Sequence, residues 1–104
     1  MAVDAPETVF CILKVHPKRE AELLKLCRQH HETLKRLELC TEEPIQLYRG
    51  DDGHGGTFVV KIFEWRSSNA LDAARRHPDV QRIWEAMDAC CERMEFPHME
   101  PVNG

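Results

Sequence analysis

The chain has no concentration of positive charge. Its 14 lysines and arginines are scattered among 18 aspartates and glutamates, for a formal net charge of -4. A nucleic-acid surface binds by displacing counterions with clustered cations, so no nucleic-acid partner is expected. No apolar run approaches the ~20 residues that a membrane-spanning helix requires, so no membrane partner is expected either. The opening residues, MAVDAPETVF, lack the basic-then-apolar order of a signal peptide, which predicts a cytoplasmic location. The five cysteines (Cys11, Cys27, Cys40, Cys90 and Cys91) are odd in number and show no CxxC spacing. Outside a secretory context they read as reduced, buried, small hydrophobes. Cys90 and Cys91 are neighbours on a predicted helix, where side chains diverge by roughly 100°, so a mutual disulfide is disfavoured.

What is present is an ordinary globular composition, with 42% hydrophobic and 31% charged residues in 104. That length suits one domain near the lower limit for burying its own core. Residues 1–7 read as a leader and residues 8–102 as the single domain.

The organising stretch runs from Thr57 to Met87. Thr57–Trp65 is rich in β-branched and aromatic residues (Val59, Val60, Ile62, Phe63) and predicts a strand. Ser67, Ser68 and Asn69 offer side-chain oxygens to a helix start. His77-Pro78-Asp79 then predicts a break, because proline disfavours helical geometry in the residue before it and suits a fresh helix N-terminus. Val80, Ile83, Trp84, Met87, Cys91 and Met94 fall on one face, so the spacing carries the helix on until Phe96-Pro97.

Upstream, Thr8–Val15 predicts a first strand with apolar residues on both faces, interrupted by Lys14. Pro17 is placed to open a helix reaching about Leu37, with Leu23, Leu24, Cys27, Leu34 and Leu37 as its stripe and His30 and His31 at a gap in it. Ile45–Arg49 predicts a second strand. The glycine-rich Gly50–Gly56 joins it to the third as a hairpin loop, a strand-to-strand context that argues against phosphate binding. His98–Val102 predicts a short edge strand between prolines. The order β-α-β-β-α-β is that of an α+β, ferredoxin-like sandwich with a four-stranded antiparallel sheet. Its helices cover one sheet face. The apolar residues on the other face imply a second copy pressed against it, since monomers rarely expose such a patch.

Phe63-Glu64-Trp65-Arg66-Ser67, followed by Ala70, Ala74, His77-Pro78-Asp79-Val80 and Ile83-Trp84, resembles the antibiotic biosynthesis monooxygenase (ABM) domain. His31-Glu32-Thr33-Leu34 and the segment from Glu38 to Cys40 are similar to it as well. The resemblance spans roughly Thr8 to Val102 and lies nearest to uncharacterised members. It implies a dimeric α/β barrel with a pocket between sheet and helices. It also implies oxygenation of phenolic or quinol substrates without flavin, haem or metal, the deprotonated substrate itself reducing oxygen. Departures are visible. Cys11 stands at the first-strand Asn position of haem-degrading relatives, Ala74 where several relatives have a helix His, and Arg75 and Glu85 where the haem-degrading branch has Trp and His. Haem is therefore disfavoured, and Trp65 alone matches a site-lining family position cleanly.

The candidate base is His30 or His31, because imidazole titrates near working pH. The plainer reading is a helix-margin histidine bonded to solvent. Trp65 and Trp84 are candidate walls for a small aromatic ligand, or simply core. Lys14 and Lys61 are charges set in apolar strands; facing inward, either would become a base or an anion clamp, and at an edge it would reach water. Cys27 with a neighbouring histidine lacks a third metal ligand. Two functions remain open: a cofactor-independent monooxygenase of a small aromatic or quinol-like substrate, and a non-catalytic, ligand-binding or regulatory dimeric barrel.

Overall fold

The computed structural model describes residues 5–97, 99 and 102. Residues 1–4 of the expected leader lie outside that range, as do His98, Glu100 and Pro101 of the expected last strand. Alternation builds the two central strands, β1 (Glu7–Val15) and β3 (Thr57–Trp65). Cys11, Leu13 and Val15 from the first are buried on the same face as Val59, Lys61, Phe63 and Trp65 from the second. They pair antiparallel along their whole length, with Cys11 opposite Lys61 and Leu13 opposite Val59. β2 (Gln46–Asp51) flanks β3 and β4 (Cys91–Glu95) flanks β1, giving the antiparallel order β2-β3-β1-β4. Helix α1 (Glu20–Arg36) joins β1 to β2, and α2 (Ala70–Arg76) with α3 (Pro78–Ala89) joins β3 to β4. This is the expected ferredoxin-like arrangement.

Helix α1 buries Leu23, Cys27, His30, His31 and Leu34, spaced three and four apart along one stripe. The histidines fill the stripe instead of marking its margin, which corrects the expectation from the sequence. Pro17 lies in a turn ahead of the helix, where Lys18 takes a φ of 69° and Arg19 occupies the cap position. The break at His77-Pro78 is as expected. His77 is extended, its Nδ1 accepts the Asp79 amide at 3.2 Å, and Pro78 opens α3. Asn69 caps α2 by position only, since its side chain accepts no helix amide.

The last strand is the clearest correction. Helical spacing carried the chain through Cys91 and Met94, yet α3 ends at Ala89 and residues 91–95 pair with β1, Met94 opposite Leu13. Met99 and Val102 belong to no strand. Glu, Arg and Met favour helices weakly; ladder bonds along an open edge of β1 outweigh that preference.

Two loops fix the sheet ends. In the hairpin, Gly53 and Gly55 adopt positive φ, and Asp52 accepts from the His54 and Gly56 amides at 2.7 and 2.9 Å. At the other end of β3, the Thr41 amide bonds to Glu64 O and the Arg66 amide to Leu39 O, which ties the connector beside Trp65.

The second face of the sheet carries Phe10, Ile12, Phe58, Val60 and Ile62, none of which packs on the core. Tyr48, beside Val60, is 57% exposed. Core burial by contrast is complete at Leu34. Leu34→Ala should cost about 2–5 kcal/mol by urea denaturation, the usual range for a collapsed or partly collapsed cavity of that size. A cost below ~1 kcal/mol would contradict the packing of α1 described here.

Candidate functional site

A cavity of about 340 Å³ opens between α1, α2, α3 and the end of the sheet where Glu7 meets Trp65. Alternation on β3 points Phe63 and Trp65 into it; helical spacing brings His30, Leu71 and Trp84, and Phe96 closes one side. The walls are aromatic and mutually oriented. Phe63 meets Trp65 edge to face at 4.8 Å, and the Trp84 ring lies nearly parallel to His30, 22° apart with centroids at 6.0 Å. Phe96 leans on Trp84 at 6.2 Å. Arg75 and Glu7 also line the cavity, from α2 and β1.

Behind His30 stands Lys61, wholly buried. Its Nζ contacts His30 Nδ1 and lies 4.6 Å from the centroid of the Phe63 ring. Among the described residues no carboxylate pairs with it. The groups that face it are Cys11 from β1, Cys27, His30 and His31 from α1, and Cys40 from the connector. Burial pushes the Cys11 thiol up to about 12 and raises Cys27 and Cys40 as well, so these sulfurs stay neutral. Loss of hydration lowers the Lys61 ammonium to about 8, the nearby thiols resisting only in part.

An ammonium has donors only, so His30 Nδ1 accepts from Lys61 and the ring proton of the neutral imidazole sits on Nε2. Burial first, then the Lys61 charge, hold His30 far below the usual imidazole range, so it stays neutral at working pH. Its Nε2 is buried with no hydrogen-bond partner. An unpaired donor of this kind costs about 1–3 kcal/mol, and it is carried by a residue that lines the cavity.

The structure thus brings together four of the six residues singled out in the sequence: His30, Trp65 and Trp84 on the cavity wall, and Lys61 behind them. His31 does not line the cavity. It meets Phe63 edge to face at 6.0 Å, and burial followed by the Lys61 and Lys35 charges lowers it to about 4. Lys14 stands on the other sheet face at the opposite end of β1, paired with Asp52 at 3.3 Å and 5.9 Å from the Phe58 ring. Sequence reasoning missed Phe63, Leu71, Arg75 and Phe96. The period-2 register of Phe63 with Trp65 was the available signal for the first. Among the described residues no cluster of three His, Cys, Asp or Glu side chains is placed to hold a metal ion.

No protein-family model matches the chain, and no curated protein matches it by sequence. Solved structures do match it in shape. An antibiotic biosynthesis monooxygenase superposes with a TM-score of 0.68 at 24% identity, covering 92% of this chain and 98% of the other. SnoaB from Streptomyces nogalater, described as a cofactor-independent oxygenase, gives 0.73 at 18% identity over 95% of each chain. A dimeric ferredoxin-like protein of unknown function from Jannaschia sp. gives 0.70 at 16% identity, covering 93% of this chain and all (100%) of its own. Over nearly its full length, the chain has the fold of antibiotic biosynthesis monooxygenase structures, the fold that its sequence resemblance implied.

Proposed function

We propose that the protein is a homodimeric, cofactor-independent monooxygenase of a small aromatic substrate with an acidic hydroxyl, of phenol, quinol or enolised ring-ketone type. The observation that carries this reading is the aromatic-walled cavity with the Lys61–His30 pair at its inner end. Flat rings enter between Trp84, Phe63 and Trp65, which bind them by contact and exclude water. Nε2 of His30, closed off by its neighbours, meets the substrate oxygen once the surrounding side chains give way, and its hydrogen bond is stronger to the anion than to the neutral hydroxyl. His31, outside the cavity, supports the packing of α1 and takes no part.

The chemistry then follows from the substrate anion. For an anthrone-type ring ketone, one ring-carbon proton passes to the Lys61–His30 pair in its neutral-amine form, bare Nε2 accepting it while the Nδ1 proton goes to the amine, and an electron-rich enolate remains. It passes one electron to dioxygen, the radical pair joins in a C–O bond, and the peroxide takes up a proton. Loss of water with the second ring-carbon hydrogen leaves a carbonyl. The carbon gives up four electrons and dioxygen accepts all four, one oxygen ending in the carbonyl and one in water. No external reductant is required, and the protein's part is to bind, hold the anion and keep the site dry.

The dimer part of the reading rests on the uncovered sheet face. Phe10, Ile12, Phe58, Val60 and Ile62 form a contiguous apolar surface on the two central strands, and burying each contributes about 1.5–3 kcal/mol. A second copy placed sheet to sheet covers it by the commonest symmetry.

Three measurements test these statements. Oxygen uptake with anthrone or a quinol should be seen with the wild-type protein and fall by roughly 10²–10⁴ in His30→Phe, while His31→Gln keeps most of it. Ring binding without any uptake across several such substrates would favour the non-catalytic ligand-binding barrel. Sedimentation should show a dimer that Val60→Arg converts to monomer; a compact wild-type monomer at micromolar concentration would defeat the sheet-to-sheet dimer.

The reading also requires His30 to be neutral in the fold, which has a pH signature. His30 and His31 both bind protons near pH 6.5 when unfolded and resist them when folded. The unfolded state therefore holds more protons below that pH, and stability present above 6.5 is lost as pH falls through 6.5 toward 4, with a slope of up to two protons. At the alkaline side, Lys61 gives the opposite end of the same rule: stability rises from about pH 8, where the folded ammonium titrates, toward 10.5. Thiols held protonated by burial oppose it above about pH 9. Urea midpoints measured from pH 4 to 8 should show the acid loss, and His31→Gln should remove about one proton of its slope. A flat profile below pH 6.5 would mean that the histidines are not desolvated as described.

A further inference from the structure

We propose that Lys61 and His30 form a proton relay that holds the ligand of this cavity as an anion, with Lys61 acting on it through the His30 ring. The inference rests on the cavity being the substrate site, and it goes beyond that reading in naming the residue that balances the ligand's charge. Four observations carry it. Lys61 is fully buried with no carboxylate partner among the described residues, and the thiols facing it remain protonated. Its contact is to His30 Nδ1. The other nitrogen of that ring, Nε2, is buried and unpartnered. His30 lines the aromatic-walled cavity, whose charged lining groups are Glu7 and Arg75, whereas Lys61 itself does not.

A buried cation without a counter-ion is costly, and an anion delivered to the far side of a bridging imidazole relieves the cost. The proton balance is closed. With Lys61 as the neutral amine, His30 turns its Nδ1–H to the amine and its bare Nε2 to the ligand. The hydroxyl proton passes to Nε2, the Nδ1 proton passes to the amine, and the products are phenolate, neutral imidazole of the opposite tautomer and ammonium. With Lys61 already an ammonium, a phenolate binds directly to the Nε2–H and gives the same complex. No electrons move in either route. His30 touches the ligand; Lys61 is a positioning residue that sets its ionisation. Burial, which lowers the Lys61 ammonium to about 8, brings the relay within working range of phenolic hydroxyls.

The probe is 4-nitrophenol, whose ionisation is read from its phenolate absorbance, with 4-nitroanisole as the ring that cannot ionise. In the wild-type protein, bound 4-nitrophenol should ionise about 1–3 pH units lower than it does in free solution, the range for a group beside an opposite charge. 4-Nitroanisole should bind at least tenfold more weakly than the phenolate. Affinity for the phenolate should fall tenfold per pH unit above about pH 8, as Lys61 loses its proton. Lys61→Met keeps the length and apolar bulk but removes the charge, and should move ionisation of the bound probe to or above its free-solution value. Lys61→Arg keeps a charge that does not titrate, so in it the phenolate affinity should stay level above pH 8. Equal ionisation of the bound probe in wild type and Lys61→Met would overturn the relay, as would equal binding of 4-nitroanisole and phenolate by the wild type. If Lys61→Arg does not fold, Lys61→Met decides alone; if neither folds, His30→Phe decides, and a bound probe still ionised as in wild type overturns the proposal. Oxygen uptake is a separate readout: its absence alongside anionic binding defeats the oxygenase reading and leaves the relay standing.

Discussion

Among the described residues one cation, Lys61, is fully desolvated, and the candidate site depends on it. Lys61 occupies an inward position of the central strand β3, where period-2 alternation would normally place Val or Ile. Everything around it follows from that. Apolar neighbours lower its affinity for a proton, facing thiols are too weakly acidic to balance it, and among the described residues its hydrogen-bond contact is one imidazole nitrogen, His30 Nδ1, with neutral His31 nearby. The Phe63 ring adds a cation–π contact at 4.6 Å. A fold seeking stability alone would replace this lysine with an aliphatic residue, since buried charges are commonly improved upon by apolar packing. Here it stands instead behind His30 at the inner end of a ring-sized cavity.

The same constraint explains why the two adjacent histidines have different fates. Consecutive residues on a helix point about 100° apart, so His30 and His31 cannot both face one cavity. The turn of α1 that stacks His30 on Trp84 leaves both histidine rings 6.0 Å from the Phe63 ring, and of the two His30 is the one that lines the cavity. Both are buried and each has an unpaired nitrogen, His30 Nε2 and His31 Nδ1, so what separates them is that His30 lines the cavity and His31 does not. Which histidine lines the cavity is decided by the angle of a helix more than by residue type.

Much of this was readable from the residues. Lys61 stood out as a charge in a β-branched run, Pro78 announced the break between α2 and α3, and alternation in β1 and β3 gave both sheet faces. The fold class followed from element order. Other features depend on long-range pairing and were not legible. Cys91–Glu95 carries an unbroken helical period, and only the open edge of β1, some 80 residues earlier in the chain, converts it to a strand. Lys14 and Lys61 look alike in sequence, but a difference of register sends one to Asp52 on the far face and the other into the core. Nothing local separates His30 from His31 either, because the apolar stripe accepts both.

The five cysteines, all buried and unpaired, lie on β1, α1, the connector and the turn into β4. Their thiols are spread through every layer of the core, and burial keeps those resolved as neutral far from the reactive thiolate form. In the closed molecule they are chemically silent. Cys11 lines the cavity and is met by a reagent that enters it, whereas the other four become reactive when the segments that carry them open, so their alkylation by an excess of reagent proceeds at the rate or population of opening and not at the rate of the sulfur chemistry. The chain therefore contains its own set of internal clocks, one per layer, by which local and global opening of the fold can be told apart without adding a label.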